Sequence, residues 1–255
     1  MGVTVGLLYP GHSAEDDYAR LQRLLGPGVE LPMQHTEMVI DAHRVEELLD
    51  WGRDDRLASG ARQLARSRPD AVVWACTSGS FVYGWEGAQA QAAALARAAS
   101  VPATSTSLAF VAAARALQVR TVAVAATYPA DVALLFAEFL ADAGIELART
   151  CSHGIVTAAE VATLTADALL EIAAAGDHPD AQAVLLPDTA LHTVEHLEAL
   201  ERHLGKTVLT ANQVSAWAGL RLSGYDLPHA GLGALFGTST AAAVAVEPRP
   251  QGASR

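Results

Sequence analysis

Apolar and polar positions along this chain alternate between two rhythms. Short, largely β-branched runs occur at residues 3–9, 71–75, 121–126, 183–186 and 207–210. Between them lie Ala/Leu/Arg/Glu-rich stretches with helical spacing, such as 58–66, 88–99, 130–143 and 194–203. The runs are apolar on both faces, which a sheet covered by helices on both sides requires. Strand and helix in strict alternation predict parallel pairing.

The pattern also repeats. Thr121-Val122-Ala123-Val124-Ala125-Ala126-Thr127-Tyr128-Pro129 echoes Thr4-Val5-Gly6-Leu7-Leu8-Tyr9-Pro10, and Ala71-Val72-Val73-Trp74-Ala75-Cys76-Thr77 lines up with Ala183-Val184-Leu185-Leu186-Pro187-Asp188-Thr189. Val101-Pro102-Ala103-Thr104-Ser105 answers Thr207-Val208-Leu209-Thr210-Ala211. Two copies of one α/β unit account for these matches. The expected fold class is therefore α/β, with two pseudo-twofold-related, doubly wound (flavodoxin-like) parallel-sheet domains. Residues 1–116 would form the first half and 117–220 the second, with 221–245 packing back on the first half and 246–255 a disordered tail. Ligands of such sheets bind beyond the carboxyl ends of the strands. The loops at Cys76-Thr77-Ser78 and at Asp188-Thr189 would then face each other across a cleft between the halves.

Composition narrows the setting. An apolar fraction of 51% with 18% charged residues is enough for a substantial core and excludes intrinsic disorder. The 17 basic and 28 acidic side chains give a net charge of −11, and the basic ones form no run, which disfavours nucleic acid and anionic membranes as partners. Two cysteines, no secretory leader pattern and no long apolar span point to a cytoplasmic protein without a disulfide framework.

Cys76 ends an apolar run and opens the hydroxyl-rich Thr77-Ser78-Gly79-Ser80 ahead of a helix. Helix dipole and backbone N–H donors at such a place are expected to favour the thiolate, making Cys76 a candidate nucleophile or proton-transfer group. The alternative is a buried structural cysteine, as Cys151 is taken to be. His192-Thr193-Val194-Glu195-His196 matches a zinc-binding helical spacing, with Asp188 one turn earlier. The pattern is short and lacks an assignable further ligand, so no metal is assigned.

Cys76-Thr77-Ser78-Gly79-Ser80-Phe81-Val82-Tyr83-Gly84 resembles the Cys-Thr-Ser-x-Ser-Phe-x-x-Gly motif of the maleate isomerase and arylmalonate decarboxylase group within the aspartate/glutamate racemase superfamily. Thr127-Tyr128, the stretch 197–206, Asn212-Gln213 with Trp217 and Leu220-Arg221, and Gly231-Leu232-Gly233-Ala234-Leu235-Phe236 extend the resemblance in order along nearly the whole chain. It implies a cofactor-free site between two domains acting on a small carboxylate or dicarboxylate. Racemases of the superfamily exchange a proton between two facing cysteines, maleate isomerases use the first as a nucleophile, and arylmalonate decarboxylases keep only the second, which protonates an enediolate. Thr77, Ser78 and Tyr128 would hydrogen-bond the substrate carboxylate and its developing charge, with Thr189, Pro10, Gly11 and His12 lining the site.

Two departures shape the expectation. The second cysteine's position is Asp188, which could serve as general base facing Cys76 or cap a helix starting near Thr189. The first loop, Pro10-Gly11-His12-Ser13, lacks the Asn usual in maleate isomerases, which speaks against maleate itself. The expected function is a cofactor-independent isomerase or decarboxylase with Cys76 as nucleophile or acid/base. Racemisation remains an alternative, as does a non-catalytic carboxylate-binding protein on the same scaffold, and a homo-oligomer is left open.

Overall fold

The structure is a computed structural model that describes residues 2–237. The expected tail at 246–255 lies outside the described residues. Two parallel sheets form the frame. In the first half the order is β2 (Val29–Glu30), β1 (Val3–Pro10), β4 (Ala71–Trp74), β5 (Ala103–Ser105), with β3 (Met33–Thr36) continuing the β2 side along β1. In the second half it is β7 (Glu146–Ser152), β6 (Thr121–Ala126), β8 (Ala183–Leu186), β9 (Thr207–Thr210). Every pairing is parallel. The two orders superimpose strand for strand, so the repeat read from the sequence is a repeat of topology.

Helices α1 (Asp16–Leu25), α2 (Val45–Trp51), α3 (Asp54–Leu64), α4 (Ser78–Phe81), α5 (Gly84–Ala99) and α6 (Thr106–Ala116) belong to the first copy, and α7 (Ala130–Asp142), α8 (Ala158–Val161), α9 (Ala166–Gly176), α10 (Leu197–Leu204), α11 (Ala211–Leu222) and α12 (Gly233–Gly237) to the second. Central strands β4 and β8 are buried throughout, as their Ala/Val/Leu/Trp content demands. β7 sits on an edge with alternating, largely polar residues and a register shift at Val122/Ala123 of its partner, which is why no apolar run announces it.

The last helix of the repeat corrects the expected boundary. Thr210 ends β9 and starts α11 as a capping box with Gln213, just as Ser105 ends β5 and caps α6 through the Leu108 N–H. Yet α11 packs on β1, β4 and β5 of the first half. Gly219 allows this approach, since a Cβ there would lie 2.3 Å from Val5 Cγ1. The return to the first half thus begins at Ala211 rather than at 221, driven by a helix buried on almost every face. Residues 233–237, expected on the first half, instead pack on β9, α10 and α11. Gln213 Nε2 donates to the Leu232 carbonyl (2.7 Å), and the Ala234 N–H donates to the Glu201 carboxylate (3.0 Å). At the centre, α6 and α11 meet through the Thr106 and Ser215 hydroxyls, 2.7 Å apart. One apolar core runs through both halves and contains Val73, Phe110, Phe136, Leu185 and Leu209.

Candidate active site

The carboxyl ends of β4 and β8 converge where the two halves meet. Beyond β4 the chain turns through Ala75, Cys76 and Thr77 into the single-turn α4. The turn is pinned by Ser80, whose hydroxyl donates to the Cys76 and Thr77 carbonyls (both 3.0 Å). Gly79 brings its backbone against the sulfur, its N–H donating to Cys76 Sγ at 3.3 Å, and a Cβ there would lie 3.1 Å from Sγ and from Trp74 Cζ2. The Gly79 carbonyl accepts from Gln91 Nε2 (3.0 Å) and Trp74 Nε1 (3.3 Å), so its peptide is held from the other end. Gln91 also donates to the Gly52 carbonyl at 2.7 Å.

Cys76 is 2% exposed. Burial pushes its thiol up to about 12, and the negative charge of Asp188 adds to the rise, against the Gly79 N–H and the Ser78 hydroxyl 3.8 Å away. The expectation of a thiolate is therefore corrected. One helical turn and the Gly79 and Ser78 donors do not compensate for removing a thiolate from water.

Asp188 is also 2% exposed. Its Oδ1 accepts from the Ala190 N–H (2.9 Å), and its Oδ2 accepts from the Thr127 hydroxyl. No helix starts at Thr189. The segment turns, passes through a short 3-10 stretch at Val194–His196 and enters α10 at Leu197, so Asp188 closes a tight side-chain turn rather than capping a helix. His43 Nε2 stands 4.0 Å from Oδ2, and the His43 ring meets Tyr128 edge-on with centroids 4.8 Å apart.

His43, which no sequence pattern marks, reaches the site from the loop before α2. That loop crosses to the other half. Asp41 accepts from the Ala158 and Ala159 N–H groups at the start of α8 (2.8 and 3.0 Å), the His43 N–H donates to the Val156 carbonyl (2.6 Å), and His43 Nδ1 lies 3.3 Å from the Ile155 carbonyl. The first half thus contributes both the thiol and the imidazole, and the second half the carboxylate.

The remaining expected site residues divide into inner and rim positions. The Thr77 side chain is fully buried and faces the Tyr128 phenol, whose pKa it lowers against the burial. Ser78 is buried next to it. Tyr128 donates to the Pro187 carbonyl (2.9 Å), and burial together with the charges of Asp188 and Cys76 holds its phenol well above the ordinary value. Thr189 is buried and offers its carbonyl to the Tyr9 hydroxyl (2.9 Å) and to Asn212 Nδ2 (3.1 Å). Pro10 is buried at the end of β1, and the half-buried Gly11 turns the chain out of the strand with φ +60°. His12 is not brought together with Cys76 and Asp188. Its side chain is 75% exposed and 3.0 Å from Glu15. His192 Nε2 pairs with Asp16 (2.8 Å) off any helix, so the His192–His196 spacing does not place two imidazoles on one helical face.

Asp17, also unmarked by the sequence, is fully buried on α1. It accepts from the Thr193 N–H (2.8 Å), the Val194 N–H (3.3 Å) and Asn212 Nδ2 (3.1 Å), fastening the loop after Asp188 to the first half. Burial pushes its carboxyl upward despite those three donors.

Comparison with known proteins gives the family. A family model described as arylmalonate decarboxylase matches residues 52–236. The arylmalonate decarboxylase of Bordetella bronchiseptica is 31% identical over 166 residues, covering 64% of this chain and 69% of that protein. A crystal structure of arylmalonate decarboxylase superimposes with a TM-score of 0.75 at 27% identity, covering 91% of this chain and 98% of the other. A variant of the Nocardia farcinica maleate cis-trans isomerase with a covalently bound succinylcysteine intermediate gives 0.83 at 20% identity, covering 92% and 98%, a likeness of fold. The chain belongs to the arylmalonate decarboxylase family, a family of enzymes.

Proposed function

We propose that this enzyme decarboxylates a small malonate-type dicarboxylic acid without a cofactor, with the Cys76 thiol as the proton donor. The observation that carries the reading is the Cys76 thiol, 2% exposed at the end of β4, across the halves from the buried Asp188 carboxylate. The bond from the α-carbon to one carboxylate breaks and carbon dioxide leaves. The electron pair stays on the α-carbon and spreads into the remaining carboxylate as an enediolate. The Thr77 hydroxyl, with Ser78 and Tyr128 beside it, supports the charge that develops there. Cys76 S–H then gives its proton to the carbon, forming the C–H bond and a thiolate.

A thiolate in this environment is a strong base, so it regains a proton quickly. Asp188 relays a proton from water to the thiolate, and the hydroxide left behind combines with the released carbon dioxide as bicarbonate; His43, 4.0 Å from Oδ2, is the positioning residue for the carboxylate. A buried acid/base pair of this kind contributes typically 10²–10⁴-fold. Because the thiol occupies the first-half position, the proton reaches one fixed face of the planar enediolate and the product is a single enantiomer.

A second reading shares the site. If Asp188 removes the thiol proton before reaction, Cys76 becomes a nucleophile that adds to an alkene, as the succinylcysteine of the Nocardia maleate isomerase shows for that protein. The experiment that separates the two is proton NMR in heavy water with a substituted malonate and with maleate in parallel. The proposal expects carbon dioxide release and one deuterium at the α-carbon of the monoacid. Fumarate from maleate, with no reaction of any malonate, would refute it in favour of addition.

A further inference from the structure

His12, Glu15 and His35 come together at the rim of the cleft, outside the Cys76–Asp188 site. Gly11 turns the chain out of β1, and the next residues place His12 Nδ1 3.0 Å from Glu15 Oε1. The Ser13 N–H donates to Glu15 Oε2 (2.7 Å), so the carboxylate is fixed with its other oxygen turned to the imidazoles. His35 lies on β3, in register with Tyr9 of β1, and its Nε2 stands 3.5 Å from the same Oε1. That nitrogen is buried and makes no hydrogen bond. The two imidazole rings lie 4.0 Å apart between centroids, and the three ligand atoms are all within 4.8 Å of one another. No other group of three such side chains is this close among the described residues.

We propose that His12, Glu15 and His35 form a divalent transition-metal site of the zinc type that clamps the loop after β1 onto the end of β3. Two imidazole nitrogens and one carboxylate oxygen are the ligand set of three-residue zinc sites, and they disfavour calcium and magnesium, which take oxygen. Tetrahedral zinc with bonds of about 2.0–2.1 Å sets its ligand atoms about 3.4 Å apart. The separations of 3.0 and 3.5 Å bracket that value. A separation of 3.5 Å is long for a hydrogen bond but natural for two ligands of one ion, which accounts for the unpartnered His35 nitrogen. The fourth position faces solvent and would hold water. The ion lies apart from the thiol and supplies no chemistry to the reaction; it fixes the loop at the cleft's mouth.

The test uses the full-length protein stripped with a chelator and titrated with zinc chloride by calorimetry at pH 7.5. The site predicts one Zn²⁺ per chain, bound at micromolar or tighter affinity. His35→Gln and Glu15→Gln should each weaken binding at least tenfold and abolish the zinc-dependent rise in melting temperature, and His196→Gln should leave both unchanged. Cobalt added to the wild type should give the intense visible bands of a four-coordinate ion, an observation that needs no variant to fold. Absence of uptake at tens of micromolar zinc, binding that survives both substitutions, or a six-coordinate cobalt spectrum would overturn the proposal.

Discussion

The loops after β4 and β8 are the same place in two copies of one fold, and they solve opposite problems. After β4 the chain carries a thiol that burial keeps protonated, approached by the Gly79 N–H at 3.3 Å. After β8 it carries a carboxylate supplied with a Thr127 hydroxyl, an Ala190 N–H at 2.9 Å and an imidazole at 4.0 Å. A sulfur can stay neutral in a dry site at little cost, whereas a buried carboxylate needs donors from several elements. The difference teaches that the repeat keeps two facing positions but divides the work between them. In the proposed reaction one holds the proton that reaches carbon, and the other returns it.

The largest effect expected is loss of the thiol. Cys76→Ala should reduce turnover by at least ~10³-fold with the fold intact, while Cys151→Ala, at a half-buried edge position on β7, stays within about twofold. Moving the thiol sharpens the comparison. The pair Cys76→Ala with Asp188→Cys should regain part of the activity and deliver the proton to the opposite face, giving the mirror-image product on chiral chromatography. An unchanged product configuration would break the pseudo-twofold account of the two loops.

Next comes the carboxylate. Asp188→Asn keeps the oxygen that accepts from Ala190 but removes the ionisable group, and should cost at least ~10²-fold in turnover with little change in melting temperature. The same substitution removes a negative charge that raises the Cys76 thiol, so it should lower that group's pKa. Equal turnover in wild type and Asp188→Asn would leave Cys76 acting alone. His43→Gln should cost on the order of 10- to 10²-fold through misplacement of Asp188 and shift the pH profile, a change that a purely structural role would not produce. The smallest effect is expected for Gly79→Ala. Its Cβ would press on Sγ and Trp74 at 3.1 Å, so we expect about 1–3 kcal/mol of destabilisation by urea unfolding and a several-fold fall in rate.

What the sequence revealed follows the physics of each part. β1, β4, β6, β8 and β9 are apolar on both faces and could be read directly; β2, β3 and β7 are short or polar edge strands with no such signal. Cys76 and Asp188 were legible because the internal repeat set them opposite each other. His43 was not, because it rides on a loop whose course depends on contacts Asp41 and His43 make 117 and 112 residues away. The destination of α11 was hidden for a similar reason. A helix that is buried nearly all round shows no polar face from which to infer its partner. The thiol's protonation is not legible in the sequence, which shows its donors but not its depth.

Titration of the Cys76 thiol tests the central claim most directly. In a Cys151→Ala background, the ultraviolet absorbance of the thiolate can be followed from pH 6 upward, with circular dichroism reporting that the protein stays folded. The account predicts no thiolate through pH 10, consistent with a group pushed up to about 12 by burial and by Asp188. A thiolate already formed at pH 7 to 8 would contradict the claim that Cys76 is a standing proton donor.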